Sequence, residues 1–278
     1  MLSSIHFKAA GLSLLAMLLL TSCASRKDDL DIKQAGLYFG AGTQSLMDRQ
    51  YTEALKNLLQ ANKLDPENSD ILNNLGMAYY FKGEKELAVR TLNAALKINP
   101  DNSDAKVNLA SMYFKEGRFA DAEKIYKQVL KDLTYDKQAR TLYNLGLIEL
   151  QSNKDNVAAE NYFKRSIKED DNYCPAYNHL GLVQFSRRQF NSALKNFKEA
   201  SMGTCVDSPG PHYYQALSLI ELRRYDEARL KLDELSTRFK KSDYARKALQ
   251  KAIELTTIEN KRSSESHASR KVLESPDF

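Results

Sequence analysis

The feature that most constrains this chain is a 34-residue unit, Ser69 to Asn102, in which Leu72, Leu75, Gly76, Tyr79, Gly83, Ala88, Leu92, Ala95 and Pro100 hold fixed places. Leu72, Leu75, Gly76 and Tyr79 are spaced three and four apart, as are Ala88, Leu92 and Ala95, so each half of the unit is an amphipathic helix. Gly83 marks the turn between the halves. Gly76 and Ala88 are small where two antiparallel helices press together, because a larger side chain would drive the backbones apart. Such a hairpin cannot bury its apolar face alone, so it must stack on copies of itself.

Sliding the frame finds the copies. Backward it meets Tyr38, Gly42, Tyr51, Ala54, Leu58, Ala61 and Pro66; forward it meets Leu109, Ala110, Tyr113, Gly117, Phe119, Ala122, Tyr126 and Val129. Three further copies run through Leu142, Gly146, Ala159 and Phe163, then Leu180, Gly181, Ala193 and Phe197, then Ala216, Leu219, Ala228 and Leu232. The small residue of the first helix recurs at 42, 76, 110, 146, 181 and 216, with spacings of 34, 34, 36, 35 and 35. The inter-repeat Pro is lost at Leu133-Thr134-Tyr135, where one irregular joint is expected.

This pattern resembles the tetratricopeptide repeat family over residues 35–241. The resemblance implies an all-α, right-handed α-solenoid of six helical hairpins. Residues 242–259, with Tyr244, Ala245, Ala248, Leu249, Ala252 and Ile253 on one stripe, read as a C-terminal capping helix. Residues 260–278, rich in Ser and charge, read as a disordered tail. Asn68 or Ser69, and Asn102 or Ser103, read as helix caps. Asn74, Asn108 and Asn144 recur at one place in the first helix, where hydrogen bonding from repeat to repeat is a better reading than a ligand contact.

The chain is 278 residues long, 42% hydrophobic and 28% charged, with a formal net charge of +5. Lys and Arg alternate with Asp and Glu, and no basic run interleaved with aromatics occurs, so a nucleic-acid surface is not expected. No tract of 18 apolar residues suggests a spanning helix. His179 and His212 fall inside repeat helices with no Cys, Asp or Glu at metal spacing. Phosphate-binding Gly loops and nucleophile or zinc motifs do not occur. The expectation is a scaffold rather than an enzyme, with no cofactor, metal or small-molecule substrate.

Residues 1–22 read as an export signal, with an apolar run from Ala9 to Leu20. Leu20-Thr21-Ser22-Cys23 resembles the lipobox of bacterial lipoproteins, which implies a lipid on Cys23; the alternative is a plain secretory peptide that contains a Cys. Ala24 after the Cys, in place of the Asp that retains such proteins in the inner membrane, implies the outer membrane and its periplasmic face. Residues 23–34 read as a lipidated Cys and polar tether. Cys174 and Cys205 fall at the start of one helix and just past the end of its antiparallel partner, at one edge of the solenoid. In an oxidising compartment a disulfide between them is expected.

In the family, the inner wall comes mainly from five positions of each first helix. Carried onto this sequence, they imply a partner-binding groove of Met77, Tyr80, Phe81, Val107, Phe114, Tyr143, Leu147, Leu150, Leu182 and Phe185. Members that bind acidic C-terminal tails carry Lys and Asn where Phe39 and Thr43 stand here, so an extended apolar or amphipathic protein segment is the expected ligand. A lipobox followed by six repeats and a cap resembles the type IV pilus pilotin lipoproteins of the PilF, PilW and Tgl kind. That resemblance implies an outer-membrane-anchored factor that binds a secretin and promotes its multimerisation. The alternatives are a lipoprotein adaptor for peptidoglycan hydrolases and a part of the outer-membrane protein assembly machinery.

Overall fold

Tetratricopeptide-like spacing demands paired helices, and the computed structural model supplies them over the residues it describes, 29–273, with the backbone alone for 258, 259 and 262–273. Thirteen helices and no strand occur among these residues. They are α1 (29–47), α2 (Tyr51–Leu64), α3 (Ser69–Phe81), α4 (Lys85–Ile98), α5 (Ser103–Lys115), α6 (Phe119–Val129), α7 (Gln138–Ile148), α8 (Asn156–Glu169), α9 (Cys174–Ser186), α10 (Phe190–Glu199), α11 (Pro209–Glu221), α12 (Tyr225–Arg238) and α13 (Asp243–Leu273). Consecutive pairs from α1/α2 to α11/α12 make the six hairpins, and α13 packs on α11 and α12. The expected signal peptide and lipobox lie outside the described residues.

The chain divides into two compact units between Asp132 and Leu133, inside the stretch that lost its Pro. There the connection from α6 to α7 takes eight residues, against four between α2 and α3 or between α4 and α5.

The first unit, α1 to α6, centres on Leu58, Leu72, Leu75, Leu92, Leu109 and Met112 with the small residues Ala54, Ala78, Ala88, Ala95 and Ala105. The small residues do what the spacing demands. A Cβ on Gly42 would lie 2.6 Å from Leu58 Cγ, and one on Gly76 would lie 2.9 Å from Leu92 Cγ. Asn68 Oδ1 accepts from the amides of Asp70 and Ile71, and Asn102 Oδ1 from that of Ala105, so both cap their helices. The hairpin turns close on left-handed residues, Gly83 at φ +90° and Gly117 at φ +77°. A polar ladder crosses the repeats. Asn74 Nδ2 donates to Thr43 Oγ1 at 2.8 Å, Asn73 Nδ2 to Asn74 Oδ1 at 3.1 Å, and Asn108 Nδ2 to Asn73 Oδ1 at 2.9 Å.

The second unit, α7 to α13, uses the same frame with rings. A Cβ on Gly146 would lie 2.6 Å from Phe163 Cε1, and one on Gly181 would lie 2.7 Å from Phe197 Cε1. α7 runs on into one π-helical turn, Glu149–Asn153, and closes on Lys154 at φ 53°. The structure changes two boundaries. α1 starts at residue 29, so the last six residues of the expected tether are helical. α13 passes the expected end at 259, and the backbone is helical to Leu273 where a disordered tail from 260 was expected. No Gly or Pro stands between Asp243 and Pro276 to stop it.

Candidate partner-binding surface

In the first unit, α3 and α5 turn Leu72, Leu75 and Leu109 inward, which leaves Met77, Tyr80, Phe81 and Phe114 off the buried stripe. Met77 and Tyr80 are half-buried against the edge of the core, and Phe81 remains 44% exposed. Their rings fall into two groups near the hairpin turns, which together make an aromatic edge. Phe81 stacks on Tyr51 with centroids 4.7 Å apart, and Tyr80 meets Phe81 edge-on at 5.5 Å. Lys115 Nζ donates to the Tyr80 hydroxyl at 2.8 Å and lies 5.0 Å from the centre of its ring. Phe114 meets Phe119 edge-on at 5.4 Å. An open depression of about 480 Å³ adjoins this edge, lined by Arg49, Gln50, Tyr51, Thr52, Glu53, Phe81 and Lys82. Chemically the edge offers ring faces, aliphatic flanks and two cations, Lys82 and Lys115. It suits an apolar or aromatic side chain carried on a segment with some negative charge.

Val107 does not belong to this surface. It is only 1% exposed. Its counterpart in α3, Asn73, is also buried, because α3 touches α5 there and the Asn73–Asn108 bond closes the contact. Asn73, at the fifth position of α3, therefore faces the next repeat.

In the second unit the expected wall residues are half-buried, as Met77 and Tyr80 are in the first. Tyr143, Leu147 and Leu150 pack against Ala159, Phe163, Leu180 and Val183. The Tyr143 ring lies 5.8 Å from Phe163, 5.5 Å from Tyr173 and 5.3 Å from His179. Burial, with a smaller contribution from Tyr173, holds the Tyr143 hydroxyl well above its usual range. Burial also pushes His179 down, so both groups are neutral near pH 7. His179 Nδ1 lies 3.3 Å from the Tyr143 hydroxyl and 3.2 Å from the Pro175 carbonyl, and one ring nitrogen serves only one of them at a time. Leu182 is half-buried, and Phe185 meets Phe190 at 5.3 Å and Tyr214 at 5.9 Å.

Cys174 opens α9 and Cys205 ends the short 3₁₀ turn Gly203–Cys205 after α10, with Cα atoms 6.2 Å apart. The structure brings the two sulfurs together at one edge, as the repeat positions require. Among the described residues no three His, Cys, Asp or Glu side chains converge as metal ligands. No described helix is long and apolar enough to cross a membrane. Tyr51 was placed in the repeat frame and its surface role was missed. An aromatic opens the second helix in four of the six repeats, Tyr51, Phe119, Phe190 and Tyr225, and that recurrence is the signal that would have found it.

Tetratricopeptide-repeat family models match residues 50–83, 69–102 and 86–145. The chain is thus a stack of tetratricopeptide-type hairpins, a class of scaffold that generally works by binding other proteins. Among solved structures it is similar to that of PilF from Pseudomonas aeruginosa, with TM-score 0.69 and 18% identity over 80% of this chain and 99% of that one. It is similar to PilW, described as a widely conserved type IV pilus biogenesis factor, with TM-score 0.67 and 20% identity over 77% of this chain and 98% of that one. It is also similar to a chain of the APC/C hetero-tetramer Cut9–Hcn1, with TM-score 0.68 and 15% identity, covering 79% of this chain and 43% of that one. No curated protein sequence matches. At these identities the likeness establishes the fold, shared with two type IV pilus proteins and with a protein from a different setting.

Proposed function

We propose that this chain is a lipid-anchored scaffold on the periplasmic face of the outer membrane that binds a secretin and promotes its assembly in type IV pilus biogenesis. The observation that carries the reading is co-extension. The chain spans 99% and 98% of the two pilus neighbours and only 43% of the third. The lipobox-like Leu20-Thr21-Ser22-Cys23 supports the anchor, and Ala24 supports the outer membrane. Cys174 and Cys205 form a disulfide in this compartment.

The contact surface is the aromatic edge of the first unit. Phe81 is 44% exposed and Phe114 half-buried beside Phe119, and a secretin segment awaiting insertion lays apolar side chains against them. Phe81→Ala combined with Phe114→Ala tests this. Truncating an anchor of this kind costs roughly 2 kcal/mol of binding. The double variant should keep its helical signal, fail to capture secretin after crosslinking in intact cells, and lose the secretin multimer band. Lys124→Ala, on the exposed face of α6, should behave as the unaltered protein. Normal multimers with a folded double variant would sink the proposal, and capture of peptidoglycan hydrolases in place of secretin would favour the adaptor reading.

A further inference from the structure

The first helix leaves one face of the repeat frame open. In α3 the face toward the preceding hairpin buries Ile71, Leu75 and Ala78, and in α5 it buries Ala105, Leu109 and Met112. The same places in α1 are held by Leu37, Ala41 and Gln44, all exposed, with Leu37 at 76%. α1 also starts six residues ahead of Ala35, the counterpart of Ser69 at the start of α3. That extension carries Leu30 at 60% and Ile32 at 55% exposure, with no repeat of its own to pack on. A Cβ on Gly36 or Gly40 would meet nothing within 4 Å, so close helix packing explains neither glycine. Solenoid ends are ordinarily closed by a polar outer face. Here large apolar side chains lie bare.

The length of chain ahead of α1 selects what covers them. Five residues, 24–28, separate Cys23 from residue 29. Six extended steps span about 20 Å, so an acyl group on Cys23 keeps the start of α1 within that distance of the bilayer. A processed chain also has too few residues ahead of 29 to build a covering helix. Arg26, Lys27 and Lys33 are matched by Asp28, Asp29 and Asp31, so net charge does not drive the contact. Apolar burial does.

We infer that α1 lies along the membrane surface. Leu30 and Leu37, two turns apart on one face, enter the headgroup boundary, and Lys33 between them reaches the headgroups with its ammonium. Two leucines are too few to bind a bilayer unaided. Beside a lipid anchor they fix the orientation of the first unit, and with it the direction in which Phe81 and Phe114 point. The inference rests on the lipid-anchor reading of Cys23.

The test uses the full-length chain, processed in cells, with a polarity-sensitive thiol fluorophore at Gln34→Cys on the same face, or at Lys124→Cys as control. The unsubstituted protein, labelled in parallel, is the blank. Each protein is reconstituted in vesicles of phosphatidylethanolamine and phosphatidylglycerol carrying a headgroup nitroxide, and the mass of its N-terminal peptide is measured. The expected result is a lipid on Cys23, a blue-shifted and strongly quenched probe at position 34, an unquenched probe at 124, and loss of the position-34 quenching in Leu30→Ser with Leu37→Ser. A lipid on Cys23 with equal, weak quenching at both positions overturns this inference and leaves the anchor standing. A blue shift at 34 that grows with protein concentration without quenching overturns it in favour of a second copy. An unmodified Cys23 removes the anchor reading, and the inference falls with it.

Discussion

The two units solve one packing problem with different side chains. Where the helices approach at Gly42 and Gly76, the first unit lays Leu58 and Leu92 over the bare backbone; at Gly146 and Gly181 the second lays Phe163 and Phe197. A ring over glycine recruits further rings. Phe163 gathers Tyr143 and His179, and Phe197 stacks on Tyr214 at 5.3 Å. The first unit instead ties its repeats with the Thr43–Asn74–Asn73–Asn108 ladder. Its third hairpin buries one ring, Tyr126 at 1% exposure, in the place of Leu58 and Leu92. Of its other rings Tyr51, Tyr80 and Phe114 are half-buried, and Phe81 is 44% exposed.

The largest expected difference comes from the disulfide proposed between Cys174 and Cys205, a pair that lies in the second unit. Its sequence separation of 31 corresponds, on the chain-entropy estimate, to roughly 3.5 kcal/mol. Reduction should strip amide-exchange protection from α9 and α10 and leave that of α3 and α5 in place. Equal loss in both units would break the comparison, and two free thiols in the unreduced, denatured protein would end the disulfide. A smaller effect should follow from filling the glycines. A Cβ at Gly76 would lie 2.9 Å from Cγ of the fully buried Leu92 and 3.3 Å from the Ala88 carbonyl oxygen. One at Gly181 meets the Phe197 ring, which is fully buried and stacked on Tyr214. Overpacking of this kind costs about 1–3 kcal/mol, and Ala returns up to about 1 kcal/mol of helix propensity. Urea melts should therefore find both variants destabilised, Gly181→Ala more than Gly76→Ala; the reverse order would mean that the ring is the softer filler.

Much of this fold is legible in the sequence because a small residue every 34 to 36 positions dictates where backbones touch. The hairpins, the capping asparagines and the Cys174–Cys205 proximity all follow from it. The surface was harder to read. Position within a helix marks Asn73 and Val107 as wall residues, yet both are buried, and the α3–α5 contact that closes over Asn73 depends on repeat-to-repeat packing. Tyr143 stands at the fifth position, that of Asn73 and Val107, and it packs against Phe163, His179 and Tyr173, the last of which lies outside the repeat frame. The ends α1 and α13 extend past their expected limits because repeat spacing carries no information beyond the last repeat, while the absence of helix breakers does.

The smallest expected effect is a pH response confined to the second unit. Two of its three histidines, His179 and His212, are held below the usual value, chiefly by burial, and the described part of the first unit has none. His212 lies 3.5 Å from Glu234, which pulls its pKa up, as does the Val206 carbonyl, while Lys231 and Arg238 push it down; burial prevails. His179 faces the Pro175 carbonyl and the Tyr143 hydroxyl, and there too burial prevails. With the folded pKa below the unfolded one, both states are neutral above about pH 6.5, and the histidines contribute no pH dependence there. As pH falls through that value the unfolded chain takes up protons that the fold refuses, so stability drops toward the folded pKa values. The carboxylates Glu160 and Glu234, whose burial is outweighed by Lys164 and Lys231, respond only below their usual 4.5, which leaves the window above it to histidine. Between about pH 7 and about pH 5 the protection of α9 and α11, corrected for intrinsic exchange, should fall while that of α3 and α5 holds. His179→Gln with His212→Gln should flatten the response. A slope that survives in this double variant, or that appears equally in α3, would show that the two units differ in their rings but not in their protons.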